Sequence, residues 1–228
     1  MVNSDGGPGL RHVVWDWNGT LLDDQVAVVA AVNRALARLG LAAISADDYR
    51  SHFTRPVQRF YEQLAGRPIG LDEWRQLDDA YHESYRQSVG RLRLAAGAAP
   101  ALAAAARLGL TQSLLSMWRH DELVALVERL GIGRFFVRVD GLRVPGGGSK
   151  AEHLVAHLAA LDRPADQVLV VGDSLDDLAA ARAVSARCVL YDGGSHHRHA
   201  LEATGVPVVD TLPAALAAAG LGDPGEVR

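Results

Sequence analysis

Two runs of this sequence place acidic side chains directly after stretches suited to buried β-strands. The first reads Val13-Val14-Trp15-Asp16-Trp17-Asn18-Gly19-Thr20-Leu21-Leu22, and the second Val168-Leu169-Val170-Val171-Gly172-Asp173-Ser174-Leu175-Asp176-Asp177. If the two strands are parallel neighbours, Asp16 and Asp173 emerge at the same edge of the sheet. Carboxylates gathered there repel and raise each other's pKa unless a cation compensates. A hard divalent ion such as Mg²⁺, which takes oxygen ligands and keeps several waters, meets that need. Asp177, one helical turn past Asp173, can join the same group.

Phosphoryl transfer accounts for the residues around them. The transferred group is anionic, so its chemistry needs in-line positioning and positive compensation. A carboxylate such as Asp16 can attack phosphorus and form an acyl-phosphate that water then cleaves. Gly19 permits close backbone approach, and the hydroxyls of Thr20 and Ser116 can donate to phosphate oxygens. Lys150 stands at a helix start behind the glycines 146–148, read as a local hinge, and supplies a fixed positive charge. Helix N-termini behind the strands add backbone N–H donors. Taken singly, each residue has a plainer reading: Asp16 capping a turn, Asp173 and Asp177 as helix-start acids, Lys150 on the surface, Ser116 ending its strand.

The elements that must position these groups follow from periodicity. Residues 11–17, 110–116, 135–140, 167–172 and 186–191 read as buried strands, with 206–209 as an added edge strand. Helical patterns occupy 98–108, 121–130, 149–161, 175–184, 198–203 and 212–219. Near-continuous apolar strands separated by helices predict a doubly wound parallel α/β sheet covered on both faces. Ligands bind such sheets beyond the carboxyl ends of the strands. One segment breaks the rhythm: residues 24–92 show only helical patterns, at 25–39, 46–64 and 71–89. They are expected to form a small all-helical cap after the first strand, the core being 1–23 with 93–228. Phe53, Phe60, Tyr61 and Trp74 are read as the cap's own core, and Arg55, before Pro56, as the cap residue that reaches an anionic substrate. Trp17 and Trp118 flank the site and either wall the pocket or pack the core.

Composition bounds the function. The chain has 228 residues, 49% of them hydrophobic and 22% charged, which is the balance of a globular protein rather than a disordered or membrane-spanning one. A net charge of −4 gives no broad pull toward nucleic acid or anionic lipid. The single cysteine, Cys188, lies in an apolar run and is read as a buried, inert thiol. Residues 1–10 have neither a basic start nor an apolar stretch, so no signal peptide is expected and a cytoplasmic location is the default. The histidines His196, His197 and His199 are read as a surface loop at the site's edge, not a transition-metal centre.

In order, spacing and local structure, these segments resemble the haloacid dehalogenase superfamily. Asp16-Trp17-Asn18-Gly19-Thr20-Leu21 looks like its first motif, Ser116 after Ser113-Leu114-Leu115 the second, Lys150 the third, and Gly172-Asp173-Ser174-Leu175-Asp176-Asp177 the fourth. The insert at 24–92 is similar to the cap of the phosphoglycolate phosphatase-like branch. The resemblance implies a phosphatase acting on a small phosphorylated metabolite with Mg²⁺. Asp16 would be nucleophile and metal ligand, and Asn18 a ligand through its backbone carbonyl. Asp173 would bind the metal through its carboxylate, and Asp177 through water or as support. Lys150 would brace Asp16 and the phosphate. The sequence departs from the branch at Asn18, where the family has an aspartate that serves as general acid and base. Asparagine can donate a hydrogen bond but cannot transfer a proton at neutral pH. That puts turnover of alkyl phosphates in doubt and opens the alternative of a weak or silent relative that binds a phosphorylated ligand or partner. A haloacid dehalogenase is disfavoured by the Asp173/Asp177 pair, since that enzyme works without metal. A phosphonatase is disfavoured because 24–92 contain no lysine.

Overall fold

The structure is a computed structural model that describes residues 9–144 and 148–222. The chain opens on β1 (His12–Trp15), makes a short strand β2 (Leu22–Asp23), and then runs through four helices: α1 (Gln25–Arg38), α2 (Ala46–His52), α3 (Val57–Ala65) and α4 (Leu71–Val89). It returns through β3 (Arg93–Leu94) and continues with α5 (Ala98–Arg107), β4 (Thr111–Arg119), α6 (His120–Arg129) and β5 (Arg138–Leu142). The remainder is α7 (Lys150–Leu161), β6 (Val168–Gly172), α8 (Leu175–Ala183), β7 (Arg187–Tyr191), α9 (Arg198–Glu202), β8 (Val208–Val209) and α10 (Ala214–Ala218).

Six strands form one parallel sheet in the order β5-β4-β1-β6-β7-β8. The order reverses around β1, so the crevice beyond its carboxyl end is where a doubly wound sheet binds ligands. Register carries the acids there: Trp15 lies opposite Leu114 on one side and Val171 on the other. Asp16 therefore leaves the sheet beside the end of β6. Val13 and Trp15 face one apolar cluster while Val14 faces the other, which is why β1 is apolar throughout.

Under the site, a buried polar chain crosses the elements. His12 Nε2 and His157 Nε2 each lie 2.7 Å from Ser113 Oγ, and His157 Nδ1 lies 2.7 Å from Asp140 Oδ2. It ties β1 and β4 to α7, the helix that carries Lys150.

Three expectations change. The helix expected at 46–64 is two helices, because Pro56 has no N–H to offer and disfavours helical geometry in Arg55 before it. The strand expected at 135–140 begins later, since Phe135 belongs to a 3-10 turn, Gly133–Phe135; Val137 N–H donates to Gln112 O at 2.8 Å, just ahead of the strand. Strand β4 does not end at Ser116 but runs on to Arg119 with a register irregularity after Leu115. The edge strand β8 is where the pattern put it. Of the expected glycine hinge, Gly146 and Gly147 lie outside the described residues. Among the described residues no helix is long and apolar enough to cross a membrane.

Candidate active site

Asp16 follows β1 directly, and its N–H donates to Val171 O at 2.8 Å, which fixes the strand end against β6. Lys150 is the first residue of α7, and a capping box sets it there: Ser149 N–H donates to Glu152 Oε2 (2.7 Å) while Ser149 Oγ accepts from Glu152 N–H. The same device starts α8, with Ser174 and Asp177 as partners. Asp177 uses Oδ2 for that cap, and its Oδ1 pairs with Lys150 Nζ. Lys150 Nζ also bonds Asp16 Oδ1. Lys150 is the only lysine in the chain.

Two glycines make the convergence possible. Gly172 has no room for a side chain, because an added Cβ would lie 2.2 Å from Asp177 Cγ. Gly19 adopts φ +72° and would meet Asp173 Oδ2 at 2.7 Å. Asp173 is held by Ser195 N–H (2.6 Å) and by the Thr20 hydroxyl (3.1 Å). The Thr20 hydroxyl, expected to donate to phosphate, instead donates its hydrogen bond to this carboxylate.

Asp16, Asp173 and Asp177 are 7%, 2% and 0% exposed, and they offer carboxylate oxygens within 4.8 Å of one another. Burial pushes Asp16 well above the usual carboxylate range; Lys150 opposes this, while Asp177 and Asp173 add to it. Burial and then Asp177 raise Asp173 to about 6. For Asp177 burial acts upward too, but Lys150 and the Ser174 hydrogen bonds outweigh it and leave the group below its ordinary value. Lys150 is favoured as a cation despite burial, because two carboxylates face it. Three buried carboxylates thus share one ammonium. This hard-oxygen set with surplus negative charge suits a divalent cation, which Asp16 and Asp173 could hold directly, with Asp177, already engaged by Ser174 and Lys150, behind them.

Asn18 stands at the rim of this group. Its Nδ2 donates to Asp24 Oδ2 (2.7 Å) and lies 2.9 Å from Tyr85 Oη, and the Tyr85 hydroxyl donates to Asp24 Oδ2 (2.6 Å). Asp24 Oδ1 accepts from Gly19 N–H at 2.9 Å. The amide oxygen faces Ser116, whose Oγ is 3.4 Å away. Sequence reasoning missed Asp24 and Tyr85. Asp24 is one of two adjacent acids, and only the fold shows that Asp23 is exposed and Asp24 buried. Tyr85 sits on α4 with no local signal.

On the helical side, Arg55 pairs with Asp176 at 3.3 Å. Asp176 is half-buried as Arg55's partner. Arg50 Nε donates to Gly194 O (3.0 Å), and Phe53 packs edge-on to His196 with ring centroids 5.7 Å apart. His196 is therefore buried, contrary to the surface-loop expectation; His199 is exposed and His197 lies 3.1 Å from Ser51 Oγ. Phe60 and Tyr61 are buried and Trp74 packs against Tyr61, but they join the same apolar cluster as Trp15 and Trp17 rather than a core of the insert's own. Trp17 and Trp118 are both core residues, Trp118 edge-on to Tyr85. Cys188 is buried, and burial pushes its thiol up to about 12.

The family model for haloacid dehalogenase-like hydrolase matches residues 10–185. The chain belongs to the haloacid dehalogenase-like hydrolases. It is 27% identical over 217 residues to a phosphoglycolate phosphatase of Pseudomonas fluorescens, covering 90% of this chain and 78% of that protein. Among solved structures, a predicted phosphatase from Clostridium acetobutylicum superposes with TM-score 0.80 at 14% identity, covering 90% of this chain and 95% of the other. CbbY from Rhodobacter sphaeroides, solved in complex with phosphate, gives TM-score 0.70 at 21% identity with the same coverage of both chains. Both solved structures share the α/β fold described above.

Proposed function

We propose that this hydrolase is a Mg²⁺-dependent phosphatase for a small phosphorylated metabolite, with Asp16 as nucleophile. The observation that carries the reading is the clustering of the Asp16, Asp173 and Asp177 carboxylates at the switch point of the sheet, with Lys150 paired to the first and the last. The phosphatases among its relatives, and the phosphate held by CbbY, support a phosphorylated substrate. The chain then divides into a catalytic core, 1–23 with 93–228, and a cap, 24–92, that closes over the substrate.

In this mechanism Asp16 attacks phosphorus in line with the leaving group, and water later cleaves the aspartyl-phosphate. Mg²⁺, held by the Asp16 and Asp173 carboxylates and the Asn18 backbone carbonyl, would supply fixed positive charge against the phosphoryl oxygens. Lys150 orients Asp16 and compensates the transferred charge. Asp177 keeps Lys150 in place and supports the metal from outside its ligand set. Ser116 donates to a phosphate oxygen, Gly19 and Thr20 seat Asp173, and Arg55 turns from Asp176 to an anionic group of the substrate. Cap closure excludes bulk water.

The test is release of inorganic phosphate from aryl and acyl phosphates with and without Mg²⁺. Activity should require the ion and disappear in Asp16→Asn; undiminished turnover in that variant rejects the assignment. The engaged amide of Asn18 favours a second reading, a silent relative that only binds phosphorylated ligands. Rapid-quench trapping separates the two, because a binder forms no acid-stable aspartyl-phosphate.

A further inference from the structure

Asp24 is the N-cap residue of α1, yet its side chain makes no capping bond to that helix. Its two oxygens instead take three donors from the rim of the site: Gly19 N–H, Asn18 Nδ2 and the Tyr85 hydroxyl. A carboxylate only accepts, so it dictates which way the Asn18 amide turns. The reverse orientation would place the amide oxygen 2.7 Å from a carboxylate oxygen. Asp24 and the Tyr85 hydroxyl both lie on the nitrogen side of the amide, and the oxygen is left facing Ser116.

We infer that Asp24 and Tyr85 are positioning residues that lock Asn18 with an acceptor toward the reacting group, so that the site is built for acyl phosphates, whose leaving group departs without a proton. The inference rests on the phosphatase reading above and names its substrate class. In the first step an Asp16 oxygen bonds to phosphorus and the bond from phosphorus to the acyl oxygen breaks. The electron pair leaves on that oxygen as a carboxylate, and no proton is needed. In the second step water bonds to phosphorus, the bond between phosphorus and Asp16 breaks, and both water protons leave on phosphate as H₂PO₄⁻. An alkoxide leaving group would need a donor that position 18 does not present.

The test compares acetyl phosphate, aryl phosphates of graded leaving-group acidity, and glycerol phosphate in Mg²⁺ buffer. For the unaltered enzyme kcat/KM should fall steadily along the series, with glycerol phosphate about 10²–10⁴-fold below acetyl phosphate. Turnover with a flat series overturns this inference alone; silence toward every phosphate overturns the phosphatase reading as well. A double-mutant cycle then tests the lock. Asn18→Asp by itself sets a second carboxylate against Asp24 and should gain little on glycerol phosphate. Asn18→Asp with Asp24→Asn should gain about 10²-fold. Equal gains in the single and double variants would show that Asp24 does not govern position 18. Tyr85→Phe removes a hydroxyl that holds both the amide nitrogen and Asp24; by loosening the amide it should raise the ratio of glycerol phosphate to acetyl phosphate turnover, and an unchanged ratio excludes Tyr85 from the lock.

Discussion

At the scale of single residues, the charge balance around Asp16 predicts how the protein responds to metal. Three buried carboxylates face one ammonium, and burial with mutual repulsion raises Asp16 and Asp173. A dication that binds only the folded state stabilises it by about 2.7 kcal/mol at a hundred times its Kd. For a chain of this size that is a rise in Tm of about 5–10 °C. Thermal denaturation with and without Mg²⁺ should show this rise, and Asp173→Asn should remove most of it. A rise of equal size in the variant would place the ion elsewhere. The acids were legible in the sequence because each follows an apolar run or opens a helix, positions the backbone fixes. The roles of Thr20, Asp24 and Tyr85 were not, because they depend on which of several donors a carboxylate meets in space.

At the scale of elements, the chain of side chains joining β1, β4, α7 and β5 makes the sheet sensitive to acid. Burial, then the charges of His157 and Arg163, lower His12 to about 4, and burial lowers His157 despite Asp140. Both rings fold as neutral donors and acceptors. Below the ordinary histidine value the unfolded chain takes up protons that the folded rings refuse, so stability is lost as pH falls from about 6.5 toward 4. For His12 the loss is on the order of 3 kcal/mol across that window. Urea denaturation at pH 7.5 and 5.0 should show a smaller acid loss in His12→Asn than in the parent chain. The buried aspartates are common to both proteins, so an equal loss would rule His12 out. The alternation of strands and helices was readable because buried strands must be apolar on both faces. The break at Pro56 was missed because the apolar spacing on either side of it stays in phase, and the late start of β5 because Phe135 is as apolar in a 3-10 turn as in a strand.

At the scale of the whole molecule, the helical segment meets the rest of the chain near the site through a buried apolar cluster and, at its edge, through one partly exposed ion pair. Arg55 and Asp176 keep 37% and 22% of their side-chain surface exposed, and such pairs contribute about 0–1 kcal/mol. Arg55→Ala should raise KM about 5-fold or more while leaving kcat less affected, since it removes binding common to ground and transition states. Steady-state kinetics decide it: a fall in kcat at constant KM would put Arg55 in the chemical step. That the segment 24–92 is helical was visible in the sequence, but which residues join it to the rest was not, because residues 193–197 carry no periodic pattern and meet α2 only in the folded chain.

One economy of composition has an experimental use. A chain grown with ¹⁵N-labelled lysine carries a single labelled side chain, Lys150, and that nitrogen touches both Asp16 and Asp177. Its side-chain NMR resonance is a reporter placed between two carboxylates of the proposed reaction centre. The state of the reaction centre can thus be followed through one line of one spectrum.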